Sequence, residues 1–354
     1  MKSTGWIRAL AVTALMASAC SSPPPVGNAS SPSPSASTTA SPSPTPTPVR
    51  NLALVTLRGS SSYVVRDITD INHPRTVSNL GPIARPKFVS ESVLSYANST
   101  GIWRTPPRTL VSGKGGDFAW SPDGKTVAYL SQSASGTRPP MQLHLVTAGK
   151  DRLVSSMPGL PSSFGCESQG CADGWDFHLE YSPDGRFITW AQSVTDVFRM
   201  WTAAGADVTP STPFVNMSLW SGASFYFDDS KEVKVWRNGV ISTFLRGVVW
   251  IRPRASPGGG QIVYETRDAA GVSRTYIVDT ATAKVRQLGS TYRAEPAFLT
   301  ARFIWYQGER YCNLNECFAG SALPTGKTYI YDLQTGTEAE SIITSVADVW
   351  PHRA

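Results

Sequence analysis

The feature that most constrains the fold is a short turn motif that recurs with a strand on either side. Residues 118–130 read FAWSPDGKTVAYL, residues 179–190 read LEYSPDGRFITW, and a degraded copy, SPGG followed by QIVYET, begins at residue 256. Serine first, proline second and glycine fourth are the residues that a β-turn favours. Asp123 and Asp184, in the third position, are expected to shape the turn rather than to act as ligands or acids. Self-similarity of this kind predicts a repeat architecture.

Extending this frame outward predicts a unit of four strands. The clearest copy contains DFAW, TVAYLS, MQLHLV and DRLVSS between residues 117 and 156. Five further units follow the same pattern and begin near residues 86, 177, 217, 247 and 295, although the fourth strand of one unit, near Asp207, is poorly marked. Alternating apolar and polar residues in short runs are typical of half-buried strands, so the chain is expected to be all-β.

The two ends of the folded region complement each other. The region opens with LALVTL, SYVVRDI and RTVSNL, which fit second, third and fourth strands, and closes with ADVW, which fits a first strand. Joining them completes a seventh unit, and a C-terminal strand that completes the N-terminal blade removes exposed edges. The sequence therefore predicts a closed β-propeller of four-stranded blades. Seven blades fit the units best, and six or eight fit if a weak unit is misframed.

The Ser-Pro-Asp-Gly-Lys/Arg repeats at residues 121–125 and 182–186 resemble the PD40 (WD40-like) repeats of the TolB-like β-propellers. The resemblance covers about residues 50–354 and is strong at these two repeats and partial at the third. TolB has an α/β domain before its propeller, whereas this chain has a Ser/Pro-rich segment there. The resemblance therefore implies the fold much more than the function.

The first twenty residues carry the marks of a bacterial export signal. A basic start is followed by the apolar residues 9–16 and by small residues at 17–19, directly before Cys20. This apolar run is too short to span a bilayer core of ~30 Å, but it suits a cleaved signal peptide. The run Ala-Ser-Ala-Cys resembles a bacterial lipobox, which implies cleavage before Cys20, acylation of Cys20 and a stable membrane anchor. The alternative is an ordinary signal peptide with an incidental cysteine.

A tether is expected between this signal and the folded region. Residues 20–49 are almost entirely Ser, Pro, Thr and Ala, a composition that cannot bury a core and favours an extended, disordered chain. The expected organisation is a signal peptide at 1–19, a tether at 20–49 and a propeller at 50–354. The location that follows is extracytoplasmic, lipid-anchored to the cell membrane or, in a Gram-negative cell, to the outer membrane.

Charge and composition exclude some partners. The formal net charge of +6 falls to +4 when Lys2 and Arg8 leave with the signal peptide. The sequence contains no Lys/Arg run of the kind that binds nucleic acid, so no nucleic-acid partner is predicted. A monomer is expected.

Four further cysteines form two pairs with the same spacing, Cys166–Cys171 and Cys312–Cys317. In an oxidising compartment, an even number of cysteines at matched spacing predicts disulfides. Two local loops are the simplest of the three possible pairings. A four-thiolate zinc site is the alternative, and it would need shorter spacings than these.

The repeat frame places both cysteine loops on one face of the ring, about three blades apart. Each loop carries aromatic residues that are expected to be exposed: Phe164 and Trp175 in the first, and Tyr311 and Phe318 in the second. Rigid loops that bear aromatic side chains lose little entropy on binding and make typical anchors. These four residues are the candidate binding residues, although the disulfides could equally serve only to hold long loops.

Motifs for catalysis are scarce. The sequence has no Gly-x-Ser-x-Gly and no His-Glu-x-x-His, and its four histidines do not have metal-ligand spacing. No catalytic residue, metal or cofactor is therefore predicted. The favoured function is a binding scaffold for an envelope protein, peptide or glycan. The alternative is an extracytoplasmic enzyme, a glycan lyase or hydrolase, with its site in the central funnel of the propeller.

Overall fold

The computed structural model describes residues 50–57, 62–98, 101–105, 108–112, 117–132, 140–157, 178–192, 197–211, 217–312 and 322–351. These residues form seven antiparallel sheets, which follow one another along the chain as the blades of a ring. Within the described ranges, no helix is both long and apolar enough to cross a membrane. The predicted all-β propeller with seven blades is confirmed.

The strands of each blade are given from its first to its fourth strand. Blade 1 contains β27 (Asp348–Trp350), β1 (Leu52–Thr56), β2 (Ser62–Asp67) and β3 (Arg75–Pro82). Blade 2 contains β4 (Ala84–Ser90), β5 (Val93–Asn98), β6 (Gly101–Arg104) and β7 (Arg108–Ser112). Blade 3 contains β8 (Phe118–Trp120), β9 (Thr126–Gln132), β10 (Met141–Thr147) and β11 (Lys150–Met157). Blade 4 contains β12 (His178–Tyr181), β13 (Phe187–Gln192) and β14 (Val197–Thr202).

The remaining blades have four strands each. Blade 5 contains β15 (Ser218–Ser221), β16 (Ser224–Asp228), β17 (Val233–Arg237) and β18 (Val240–Leu245). Blade 6 contains β19 (Ile251–Ala255), β20 (Gln261–Arg267), β21 (Ser273–Asp279) and β22 (Val285–Leu288). Blade 7 contains β23 (Arg293–Phe298), β24 (Phe303–Tyr311), β25 (Ala322–Asp332) and β26 (Thr337–Ser341).

The ring closes in blade 1, where the two ends of the chain pair. Strand β27 runs antiparallel to β1, with Trp350 opposite Leu52 and Asp348 opposite Leu54. The predicted closure by the C-terminal strand is therefore confirmed. Blade 4 departs from the rule, because in the described residues a single bridge between Trp201 and Asp207 stands in place of a fourth strand. Pro210 follows shortly afterwards, and proline has no N–H to continue a ladder.

First strands of neighbouring blades contact one another, so they surround the centre of the ring; β8 with β12 and β19 with β23 are examples. Because the strands alternate in direction, the connections emerge on two faces. The turn face carries the connections from first to second and from third to fourth strands. The loop face carries the connections from second to third strands and those between blades. The strand ends that flank both predicted cysteine loops lie at the loop face: the end of β11 and the start of β12 for one, and the end of β24 and the start of β25 for the other.

The Ser-Pro-Asp-Gly turns lie on the turn face, and their hydrogen bonds explain why the motif recurs. The Ser121 hydroxyl donates to Asp123 Oδ1 at 2.7 Å and accepts from the Thr126 N–H at 2.9 Å. Gly124 adopts φ +66°, a region that glycine enters without steric cost. The hydrogen bond from Ser121, followed by that from the Lys125 N–H, lowers the pKa of Asp123. This aspartate is a turn former, as the motif predicts.

The second complete turn repeats this geometry. The Ser182 hydroxyl donates to Asp184 Oδ1 at 2.7 Å and accepts from the Phe187 N–H at 2.9 Å. Asp184 is therefore also a turn former. Between the two blades that bear these turns lies an apolar core, whose fully buried side chains include Leu143, Leu179 and Trp201.

Candidate binding site at the mouth of the ring

Three first strands share a backbone irregularity. In blades 2, 6 and 7 the first strand advances three residues while its partner advances two, which defines a β-bulge. The residue pairs that flank the three bulges are Ala84–Ala97 and Lys87–Ser95, Ile251–Glu265 and Arg254–Val263, and Ala294–Gln307 and Ala297–Trp305. The described first strands of blades 1, 3, 4 and 5 pair without such a shift.

All three bulges have a charged residue directly before a proline. The sequences are Arg85-Pro86-Lys87, Arg252-Pro253-Arg254 and Glu295-Pro296-Ala297. Proline cannot donate to the ladder, and it restricts the backbone of the residue before it, so it accounts for the position of each bulge. We call residues 84–87, 251–254 and 294–297 the bulge arc. Each bulge lies in the half of its first strand nearer the loop face, and blades 6, 7, 1 and 2 are consecutive around the ring.

Two residues of the bulge arc have a strained backbone. Arg252 has φ +47° and Glu295 has φ +55°, both in the left-handed region that favours glycine. A non-glycine residue in a sparsely populated backbone region costs about 1–3 kcal/mol, and such residues cluster at functional sites. Neither position carries a glycine, which would relieve the strain. The presence of Arg252 and Glu295 in place of glycine therefore points to a role of their side chains.

The two strained residues form an ion pair between blades 6 and 7. Arg252 Nη1 lies 2.7 Å from Glu295 Oε1, and the two side chains are 30% and 40% exposed. An ion pair with this exposure contributes about 0–1 kcal/mol, less than the strain at the two residues together. Stability alone therefore does not account for the pair, and solvent or a ligand can reach both groups.

A buried polar network makes hydrogen bonds to the bulge of blade 7. The fully buried Glu265 accepts the Glu295 N–H at 3.1 Å and pairs with Arg267 Nε at 2.7 Å. Arg267 Nη2 also reaches Glu309 Oε1 at 2.7 Å, and the Ser273 hydroxyl donates to Glu309 Oε2 at 2.6 Å. Burial raises the pKa of Glu265, and Arg267 opposes this in part. The network ties the start of β23 to the ends of β20 and β24.

Glu265 and Glu309 converge as an active-site pair would, but their oxygens are already engaged. Arg267 contacts both carboxylates, and an N–H and a hydroxyl supply further hydrogen bonds. A general acid or base must be able to reach the proton that it transfers, whereas these two carboxylates are buried. Among the described residues, no group of His, Cys, Asp and Glu could hold a metal ion. Glu265 and Glu309 therefore act here as the acceptors that hold the bulge of blade 7 in place.

The hairpin of β24 and β25 extends beyond the rest of blade 7 on the loop face. Strand β26 ends with Ser341 opposite Thr328, whereas β24 and β25 continue to pair up to Tyr311 opposite Ala322. Tyr311 is 52% exposed. The next residue, Cys312, is buried and disulfide-bonded. The hairpin therefore presents an aromatic side chain next to a fixed residue, and the binding role of Tyr311 stays a prediction.

The other predicted site residues lie outside the described residues: Cys20, Phe164, Cys166, Cys171, Trp175, Cys317 and Phe318. The pairing of Cys312 with Cys317, like that of Cys166 with Cys171, therefore stays a prediction. The bulge arc, in contrast, was not predicted. A proline inside an otherwise regular strand pattern is the signal that could have indicated it, at residues 86, 253 and 296.

Comparison of the sequence with known proteins gives limited similarity. No family model matches the chain. Dipeptidyl-peptidase 5 of Porphyromonas gingivalis is 26% identical over 137 residues, which cover 33% of this chain and 18% of that protein. The match thus spans less than a fifth of the relative's length.

Similar solved structures share the fold. A structure from a study of two prolyl endopeptidases aligns with a TM-score of 0.56 and 12% identity, over 84% of this chain and 48% of that one. The periplasmic gluconolactonase PpgL of Pseudomonas aeruginosa aligns with a TM-score of 0.50 and 16% identity, over 85% and 98%. TolB of Acinetobacter baumannii is also among the similar structures, with a TM-score of 0.44 and 18% identity over 71% and 66%. The chain is a seven-bladed β-propeller, and at these identities the similar structures show the fold alone.

Proposed function

We propose that this protein is an extracytoplasmic, membrane-anchored binding scaffold that receives an envelope partner on its loop face. The observation that carries the proposal is the partly exposed ion pair between Arg252 and Glu295, held by two strained bulges at the mouth of the ring. The extended hairpin with the exposed Tyr311 lies on the same face. Pre-formed polar groups and an exposed aromatic side chain on one face are typical of a surface that binds without large rearrangement.

Binding is favoured over the alternative, a glycan lyase or hydrolase. A glycosidase needs two carboxyl groups that flank its substrate. Here the two convergent carboxylates, Glu265 and Glu309, are buried and share Arg267. The gluconolactonase PpgL has a similar fold, but at 16% identity it supports only the shared architecture.

The membrane anchor is the second part of the proposal. The signal peptide is removed before Cys20, and residues 20–49 tether the ring to the membrane. A chain of 30 residues, extended at ~3.1 Å per residue, spans ~90 Å, enough to let a domain of this size stand clear of a bilayer.

Substitution on the loop face tests the binding function. We expect Tyr311→Ala, combined with Trp175→Ala, to abolish capture of the partner when the tagged protein is crosslinked in intact cells. Val240→Ala is the control, because Val240 is exposed at the start of β18 on the turn face. The proposal fails if the doubly substituted protein captures the same partner in the same amount as the wild type.

The anchor has a separate test. We expect metabolic labelling with a palmitate analogue to mark the wild type and not Cys20→Ala, because the thioether forms on the Cys20 sulfur. The variant should also leave the membrane fraction. Labelling of Cys20→Ala, or its retention in the membrane, would contradict the lipid anchor while leaving the loop-face proposal untouched.

A further inference from the structure

The bulge arc carries an excess of positive charge. The residue before each proline is Arg85, Arg252 or Glu295, and the residue after it is Lys87, Arg254 or Ala297. Of the five positions whose side chains the structure describes, three are basic and one is acidic. A cleft lined by charges of one sign raises the local concentration of ligands of the opposite sign. The mouth is therefore suited to an anionic ligand.

Arg254 is the basic group that is free to take such a ligand. It is exposed although it lies on a first strand, at the centre of the ring, and it has no hydrogen bond or ion pair among the described residues. Lys87, at the equivalent position in blade 2, donates to the Phe118 carbonyl at 3.0 Å. Arg254 therefore combines a position on a first strand with donors that no described residue uses.

The nearest acidic groups are already engaged by the protein. The Asp348 carboxylate accepts the N–H groups of Val349 and Phe88 at 3.0 Å and 2.7 Å. Glu295 is the one acidic residue of the bulge arc, and its carboxylate contacts Arg252. Because that ion pair is partly exposed, a ligand can compete with Glu295 for the guanidinium.

We infer that the mouth between blades 6 and 7 binds a carboxylate group of the partner, with Arg254 as the primary contact and Arg252 as a second contact that Glu295 occupies in the free protein. A guanidinium presents a planar fork of N–H donors that matches a carboxylate. In the free protein, Glu295 is then the counter-ion of Arg252, and it holds the guanidinium in position for the ligand. The inference rests on the proposed function and adds the chemical class that the mouth recognises.

Two sources of a carboxylate are separated by the choice of probe. Glucuronate represents an acidic sugar, and N-acetyl-alanyl-alanine represents a peptide C-terminus. Glucose and the amide of the same dipeptide are their neutral counterparts. The measurement is isothermal titration calorimetry on the full chain purified in detergent, at low and at high salt, because a charge-dependent contact weakens with ionic strength.

The expected result is binding of one carboxylate probe and not of its neutral counterpart. Arg254→Gln should weaken this binding about 10-fold or more, the effect of losing a hydrogen-bonded charge. Glu295→Gln should tighten it, because Arg252 is released. Arg75→Gln is the control, since Arg75 is exposed at the start of β3 on the turn face.

Several results would overturn the inference. These are no binding of either carboxylate probe, equal binding of a neutral counterpart, or unchanged binding in Arg254→Gln. Binding of the sugar alone or of the peptide alone identifies the source. If the probes fail while Tyr311→Ala with Trp175→Ala still loses its partner in cells, only the carboxylate inference falls. If that double variant keeps its partner, the proposed function itself falls.

Discussion

Blades 3 and 4 differ from blades 6 and 7 in how their inner halves are built. The pair that bears the complete motif has regular first strands, and its boundary is filled by apolar side chains such as Leu143 and Leu179. Blades 6 and 7 also share an apolar core, but the end of their boundary towards the loop face carries bulges and a network of charges. The two blades with the complete motif are therefore regular on their first strands, whereas blades 6 and 7 carry bulges and buried charges there.

The hydrogen bonds that hold neighbouring first strands together also differ between the two regions. In blade 3, Asp117 accepts the Phe118 N–H and also, at 2.5 Å, the N–H of Leu179 in the next blade. Asp348 of blade 1 makes the equivalent two contacts. Between blades 6 and 7, Glu265 does this from a second strand and accepts the N–H of the bulged residue Glu295. A carboxylate accepts an N–H of the neighbouring first strand in each case, but between blades 6 and 7 a second strand supplies that carboxylate.

The largest effect is expected in the regular half. Leu143→Ala removes a fully buried side chain from the core between blades 3 and 4, and it should lower the free energy of unfolding by about 3 kcal/mol. Leu153→Ala is the matched control in the same blade, because Leu153 is half exposed, and it should cost about 0.5 kcal/mol or less. Urea unfolding measures both. Equal effects would mean that this core does not support the ring.

The degraded turn of blade 6 should be nearly as rigid as a complete motif. A Cβ at Gly259 would lie 2.7 Å from the Gly222 backbone nitrogen, and Gly259 has φ +67°. Gly259→Ala should therefore cost about 1–3 kcal/mol. At Gly258 a Cβ would meet nothing within 4 Å, so Gly258→Ala is the control and should leave stability almost unchanged. If the two alanine variants are equally stable, the turn of blade 6 is not as rigid as the complete motif.

In the bulge arc, a substitution is expected to stabilise the protein instead of destabilising it. Arg252→Gly relieves the left-handed strain at the loss of a weak ion pair, so we expect it to raise the free energy of unfolding by up to about 1 kcal/mol. Arg254→Gly, two residues later, should lower it by about 0.5–1 kcal/mol, because glycine weakens a strand that has no such strain. Urea unfolding of the two variants side by side gives the signs. A destabilising Arg252→Gly would mean that the residue is retained for stability.

The smallest effect concerns the pH dependence of the buried network. The pKa of Glu265 is raised by burial, so the folded state holds that proton more tightly than the unfolded chain does. The stability that this proton contributes is present below about pH 4.5, the usual range of a glutamate, and is lost as the pH rises through the folded-state pKa. Glu265→Gln should remove this loss. Its stability relative to the wild type should therefore improve from pH 4 towards neutral pH, and a flat difference would contradict the raised pKa.

Most of the architecture could be predicted from the sequence, because it depends on local signals. Ser121 and Gly124 specify a turn within four residues, and complementary end segments indicate closure. The mouth could not be predicted in the same way. Whether Pro253 makes a bulge depends on the register against β20, and the contact of Arg267 with Glu309 joins residues that are 42 positions apart. The fourth strand of blade 4 was poorly marked in sequence, and the described residues there form one bridge.

The claim that the loop face meets the partner has a direct test in living cells. A photoreactive phenylalanine analogue is placed at Tyr311, on the loop face, and in a second protein at Lys125, an exposed position in the turn of blade 3 on the turn face. Irradiation of intact cells should give a discrete crosslinked product from position 311 and none from position 125. A product from position 125 without one from position 311 would show that the partner binds the opposite face, and it would contradict the account.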